Sequence, residues 1–131
     1  MNRLGNLIGR FCLVASIGAS SVLASAGEIA YEKAHFDAAL AQGSGFVVAL
    51  VTDWCTTCTR QEAVVAELLE ESRFEGLTLF VADFDRELGL RRRLRVVMQG
   101  TFIVFKEGRE VARSTGATDK AAIAAMFAKA L

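Results

Sequence analysis

Apolar positions along the chain switch between two periods, and the switches mark its elements. In "AYEKAHFDAALAQ", residues 30 to 42, Ala34, Phe36, Ala39 and Leu40 recur at the three-and-four spacing of an amphipathic helix, and Gly43-Ser44-Gly45 stops it. "FVVALVT", 46 to 52, is nearly unbroken apolar chain rich in β-branched residues, the composition of a strand covered on both faces. The helical period returns from Thr56 to about Ser72, with Val65, Leu68 and Leu69 on one face, and Glu75-Gly76 closes it.

"LTLFVADFD", 77 to 85, reads as a second strand, and "RELGLRRRLRV", 86 to 96, as a charged helical segment with Leu90 and Leu94 four apart. "TFIVFKEGREVAR", 101 to 113, predicts two strands around a tight Glu107-Gly108 turn. Thr118 or Asp119 then caps a last helix, in which Ile123, Met126, Phe127 and Ala130 share a face. A strand-helix-strand unit requires a parallel crossover and a short hairpin requires antiparallel pairing, so the expected fold is α/β: a mixed four-stranded sheet flanked by helices.

The first 26 residues fit an export signal better than a fold. Arg3 and Arg10 precede an apolar run from Phe11 to Leu23, and Ala24-Ser25-Ala26 has the small-x-small form cleaved by a signal peptidase. The run is broken by Ser16, Gly18, Ser20 and Ser21 and falls short of the roughly 20 apolar residues of a spanning helix. Cleavage after Ala26 would leave one exported domain, residues 27 to 131. There 13 basic residues face 15 acidic ones, which gives no general attraction for nucleic acid. Cys12 would depart with the signal, leaving Cys55 and Cys58.

Those two cysteines stand at the junction of the apolar run and a helix, in "DWCTTC". A sulfur at a helix N-terminus meets unpaired N–H groups and the positive end of the macrodipole, which favour the thiolate, the form that attacks disulfides. On this reading Cys55 attacks and Cys58, one turn on, resolves the mixed disulfide. Arg60 would add to the thiolate's stability, and Asp53 would oppose it. Two other readings stay open: an inert staple, which so short a loop would make weak, and a metal clip, for which only His35 could join the cysteines unless two copies shared a site. His35 is expected as a partly buried helix residue. Arg91, Arg92, Arg93 and Arg95 are expected on a solvated face, or as a docking patch for an acidic partner or anionic lipid.

"FVVALVTDWCTTC", the acidic strand end "VADFD" and "GTFIVFKEGREVARSTG" together resemble the thioredoxin superfamily over about residues 30 to 131. The resemblance implies a thioredoxin fold and thiol–disulfide oxidoreductase activity on protein substrates without a cofactor. It implies Cys55 as an exposed nucleophile, Cys58 as a buried resolving thiol and Trp54 as a shield. The Asp-Trp-Cys form and the export signal are most similar to periplasmic members that pass electrons to other proteins, which implies a periplasmic reductant or electron carrier. A reducing role in an oxidising compartment would need a supply of electrons, for which a membrane thiol transporter is the expected source. A metal- or client-binding module without turnover is the alternative.

Four positions at three places depart from the family pattern. Where the family has a cis-proline in its substrate-binding loop, formed here by Gln99, Gly100 and Thr101, this chain has Gly100, and it contains no proline at all. A non-proline cis bond costs about 2.5–4 kcal/mol, so the Gln99–Gly100 bond is expected to be trans, with room left beside the sulfurs for a different partner or a metal. Ala49 replaces the buried Asp that helps move the resolving thiol's proton in thioredoxins. Thr56-Thr57 between the cysteines matches neither the reductant nor the oxidant pattern.

Overall fold

A computed structural model describes residues 27–131; the expected signal, 1 to 26, lies outside the described residues. Elements run in the order β1 (Gly27–Ala30), α1 (Lys33–Gln42), β2 (Phe46–Val51), α2 (Thr56–Leu69), β3 (Thr78–Asp83), α3 (Leu88–Leu94), β4 (Thr101–Lys106), β5 (Arg109–Thr115) and α4 (Lys120–Phe127). The sheet order is β1-β3-β2-β4-β5. β3 is parallel to both β1 and β2, whereas β4 is antiparallel to both β2 and β5.

The sheet therefore has five strands, one more than expected. "GEIA" carries no apolar alternation because it is an edge strand whose residues 28–30 are exposed; its backbone pairing with β3 holds it in place. The first helix accordingly begins at Lys33 rather than near residue 30.

Strand parity explains the unbroken apolar run of β2. Phe46, Val48 and Leu50 point into one core with Phe36 of α1, Leu90 and Leu94 of α3, and Phe80, Ile103 and Phe105 of the sheet. Val47 and Ala49 point into the opposite core with Val65 and Leu68 of α2, Ile123 and Phe127 of α4, and Phe102. Both faces are thus covered, as a central strand of mixed α/β structure requires. Phe36 centres the first core, edge-on to the rings of Tyr31, Phe46, Phe80 and Phe105 at centroid distances of 5.5–6.2 Å.

Local signals bound three elements as the sequence implies, while the helix expected to about Ser72 stops at Leu69 and a short 3-10 turn, Ser72–Phe74, follows it. Gly43, in the left-handed region at φ 70°, closes α1. Glu107 and Gly108, at φ 53° and 76°, make the β4–β5 hairpin turn. Asp119 caps α4 by accepting from the Ala122 N–H at 2.8 Å.

The arginine-rich segment is more than a solvated face. Arg91 lies over the Phe84 ring at 3.6 Å and donates to Phe84 O, and Arg93 pairs with Asp37 of α1. Arg92 and Arg95 are exposed. His35 is exposed, not partly buried, and lies 3.5 Å from the Glu32 carboxylate, because Phe36 takes the inward position of that turn.

Candidate functional site

β2 ends at Val51, at the C-terminal edge of the sheet, and the turn Thr52-Asp53-Trp54 delivers the chain to α2. Cys55 is the N-cap of that helix: its backbone is extended, and its Sγ accepts from the Cys58 N–H at 3.1 Å. The sulfur thus occupies the place of a capping oxygen, and the group that caps the helix is the one on which an N–H and the macrodipole would stabilise negative charge.

Cys55 and Cys58 are joined as a disulfide, with Cα atoms 5.2 Å apart. Cys55 is 6% exposed and Cys58 5%, so exposure does not separate them as the resemblance implied. What separates them is position, the first at the helix cap and the second in the wall of a cavity under α2.

Trp54 is 65% exposed, and its Nε1 donates to Asp85 Oδ2 at 2.9 Å across the β3–α3 turn. Val97 and Met98, on the approach to Gly100, are likewise exposed apolar residues. Asp53 and Arg60 are both exposed; Asp53 lines the cavity and Arg60 does not.

No cis peptide bond occurs among the described residues, so the Gln99–Gly100 bond is trans as expected. Gly100 has φ 71°, a left-handed conformation open to glycine and closed to proline. Its N–H donates to Leu50 O at 2.8 Å, and its carbonyl accepts from the Gly116 N–H at 2.9 Å. The Thr101 hydroxyl is engaged within the protein, at 2.7 Å from Met98 O and 2.8 Å from Thr115 Oγ1.

The room expected beside the sulfurs is occupied. Gln61, 2% exposed, sends its amide into this space, where Nε2 donates to Gly100 O at 3.0 Å and to Ala117 O at 2.9 Å. A methyl group placed on Gly100 would lie 3.3 Å from Gln61 Oε1 and 3.8 Å from Cys58 Sγ. Gln61 therefore ties the Gly100 loop, the Ala117 loop and α2 together. Sequence reasoning missed this residue, although a signal existed: Cys58, Gln61, Val65 and Leu68 form the buried stripe of α2, and Gln61 is its one amide.

Beneath Cys58, between α2 and the sheet, lies a cavity of about 330 Å³. Ala49, which replaces the family's Asp, is part of its wall, so no carboxyl reaches the cavity from β2 at that point. Two exposed acids, Glu28 of β1 and Glu62 of α2, also contribute to its lining. Partial burial, reinforced by the Glu62 charge, raises the Glu28 pKa above the ordinary carboxylate value. No group of three or more His, Cys, Asp or Glu side chains among the described residues is placed to hold a metal ion.

Comparison with known proteins agrees with this architecture. Residues 28–129 match the family model described as Thioredoxin, and the chain belongs to the thioredoxin family. Thioredoxins of Mycobacterium bovis and Mycobacterium tuberculosis are each 37% identical to it over 70 residues, 53% of this chain. The match spans only 60% of the length of these curated relatives. The crystal structure of Trxlp from Edwardsiella tarda superposes with a TM-score of 0.74 at 32% identity, covering 77% of this chain and 98% of that one. The thioredoxin of Schistosoma mansoni, 20% identical, shares the fold with a TM-score of 0.67 over 83% of this chain and 98% of its own.

Proposed function

We propose that this chain is an exported protein thiol–disulfide oxidoreductase that works as a reductant or electron carrier, with Cys55 the nucleophile and Cys58 the resolving thiol. The observation that carries the reading is the Cys55 sulfur at the cap of α2, accepting an N–H and paired with Cys58 one turn on. Family membership supports the same chemistry.

In the reducing direction the Cys55 thiolate attacks one sulfur of a substrate disulfide and displaces the other as a thiolate, which takes a proton from solvent. Cys58 then loses its proton and attacks Cys55 Sγ. The bond between Cys55 and the substrate breaks, the second substrate thiolate leaves and is protonated, and the Cys55–Cys58 disulfide remains. Two electrons and two protons have passed to the substrate. The exposed apolar side chains of Trp54, Val97 and Met98 give a protein substrate a surface to dock on.

Resetting the disulfide takes two electrons, and in an oxidising compartment a membrane thiol transporter is the proposed source. The Arg3 and Arg10 start, the apolar run and Ala24-Ser25-Ala26 support export.

The test is trapping. Cys58→Ser expressed with its own leader should accumulate mixed disulfides with periplasmic proteins, released by reductant, and Cys55→Ser should not. Equal yields from the two variants, or none from either, would contradict the assignment of roles. Metal that copurifies with the protein and is lost on substituting either cysteine would instead identify a clip.

A further inference from the structure

Gln61 holds an atom that the disulfide form leaves without a partner. Its amide orientation is fixed, because two backbone carbonyls, Gly100 O and Ala117 O, require the nitrogen on their side. That leaves Oε1, which is buried and has no hydrogen-bond donor. The space it borders is also bordered by Cys58 Sγ: a methyl group on Gly100 would be within 3.3 Å of the first and 3.8 Å of the second. Cys58 and Gln61 are three residues apart on the buried stripe of α2, the spacing that places side chains on one helix face.

A disulfide sulfur has no proton to give. On reduction Cys58 becomes a thiol, a weak donor, sharing this space with the unpartnered Gln61 Oε1. The other buried side-chain oxygen without a partner among the described residues, the hydroxyl of Thr52, lies in the cavity wall and not beside Gly100. We propose that in the reduced protein Cys58 S–H donates a hydrogen bond to Gln61 Oε1, so that Gln61 stabilises the dithiol relative to the disulfide and raises the reduction potential of the pair. The proposal rests on the thiol–disulfide reading above.

The direction follows from which form lacks the bond. Burying an unpaired acceptor disfavours the oxidised form, and satisfying it favours the reduced form, so both effects shift the equilibrium toward dithiol. Gly100 is part of the same device. Any side chain there would press on Oε1, so the residue in the place of proline is what admits the amide beside the sulfurs.

The test compares the chain with Gln61→Met, which keeps an unbranched side chain of similar length, replaces the amide oxygen by a much weaker thioether acceptor and removes the two Nε2 bonds from both redox forms alike. Both carry Cys12→Ser, so that the pair is measured alone, and both are equilibrated with glutathione buffers. The dithiol–disulfide constant of the variant should move about tenfold toward disulfide, a potential about 30 mV more negative. A constant unchanged or moved toward dithiol would overturn the proposal. A loss of packing that weakens both redox forms alike would leave the potential where it was.

A second readout keeps Gln61 in place. In a Cys12→Ser, Cys55→Ser chain Cys58 is the sole thiol. Its S–H infrared stretch should lie below that of a thiol in an apolar solvent, and Gln61→Met in this background should return it toward that value. A band at the position of a thiol without an acceptor, or one indifferent to Gln61→Met, would refute the bond even where Gln61→Met is too unstable for potentials. If the Cys55–Cys58 pair fails to equilibrate with glutathione at all, the oxidoreductase reading fails, and the infrared band still decides the role of Gln61.

Discussion

Gly100→Pro would restore the family's residue at its family position, and the structure predicts that it damages this chain. Proline holds φ near −65°, whereas Gly100 sits at 71°, so the loop must be rebuilt on whichever side of the Gln99 bond it can. The N–H to Leu50 O is abolished outright, leaving a carbonyl in the core without that donor, at about 1–3 kcal/mol. Moving the Gly100 carbonyl also weakens its bonds from Gly116 N–H and Gln61 Nε2, each about 1 kcal/mol net.

The sum is about 3–5 kcal/mol, a large part of the roughly 5–15 kcal/mol of a small domain. With a urea slope of about 2 kcal/mol per molar, the midpoint should fall by about 2 M. Gly100→Ala is the control. It keeps the N–H and meets only the left-handed penalty, about 1–2 kcal/mol, together with the close Gln61 contact, so its midpoint should fall by about 0.5–1 M. Equilibrium urea unfolding followed by Trp54 fluorescence reads both. A Gly100→Pro protein as stable as the parent would refute the argument that this loop is built around a glycine.

Two further perturbations test other parts of the structure. Burial and Glu62 raise the Glu28 pKa, so ionising Glu28 disfavours the fold: the stability present below about pH 4.5 is lost as pH rises through the raised folded value. Glu28→Gln should therefore raise the thermal midpoint at pH 7, with the gain vanishing below pH 4; a gain equal at both pH values would contradict the cause. Arg95 ends α3 at φ 54° as a non-glycine residue, so Arg95→Gly should stabilise the protein by about 0.5–1 kcal/mol in urea unfolding, and a loss would show that its side chain matters more than its backbone.

Much of this architecture could be read from periodicity because the central strands are doubly covered and α2, α3 and α4 bury residues at three-and-four spacing, whereas α1 buries only Phe36 and leaves Ala34 of its expected stripe exposed. β1 could not be read that way. Four residues at an exposed edge bury no alternating set, and their place is fixed by backbone pairing with β3, which side-chain pattern does not encode. At the site, the cysteines, the trans bond at Gly100 and the loss of a carboxyl at Ala49 were legible. The consequence of losing the proline was not. The expectation was of open space, and the answer lay in Gln61, whose amide reaches across from α2 to two loops 39 and 56 residues away in sequence. A contact of that range appears only once the sheet has brought its ends together.

Burial also revised the division between the cysteines. In the disulfide they are enclosed almost equally, and what distinguishes Cys55 is its position as the cap of α2. The most direct test of the proposed function is therefore alkylation of the reduced protein by substoichiometric iodoacetamide across pH, with the modified cysteine identified by peptide mass. Cys55 should be modified first and should ionise at lower pH than Cys58. Preferential modification of Cys58, or equal rates at the two thiols, would contradict it.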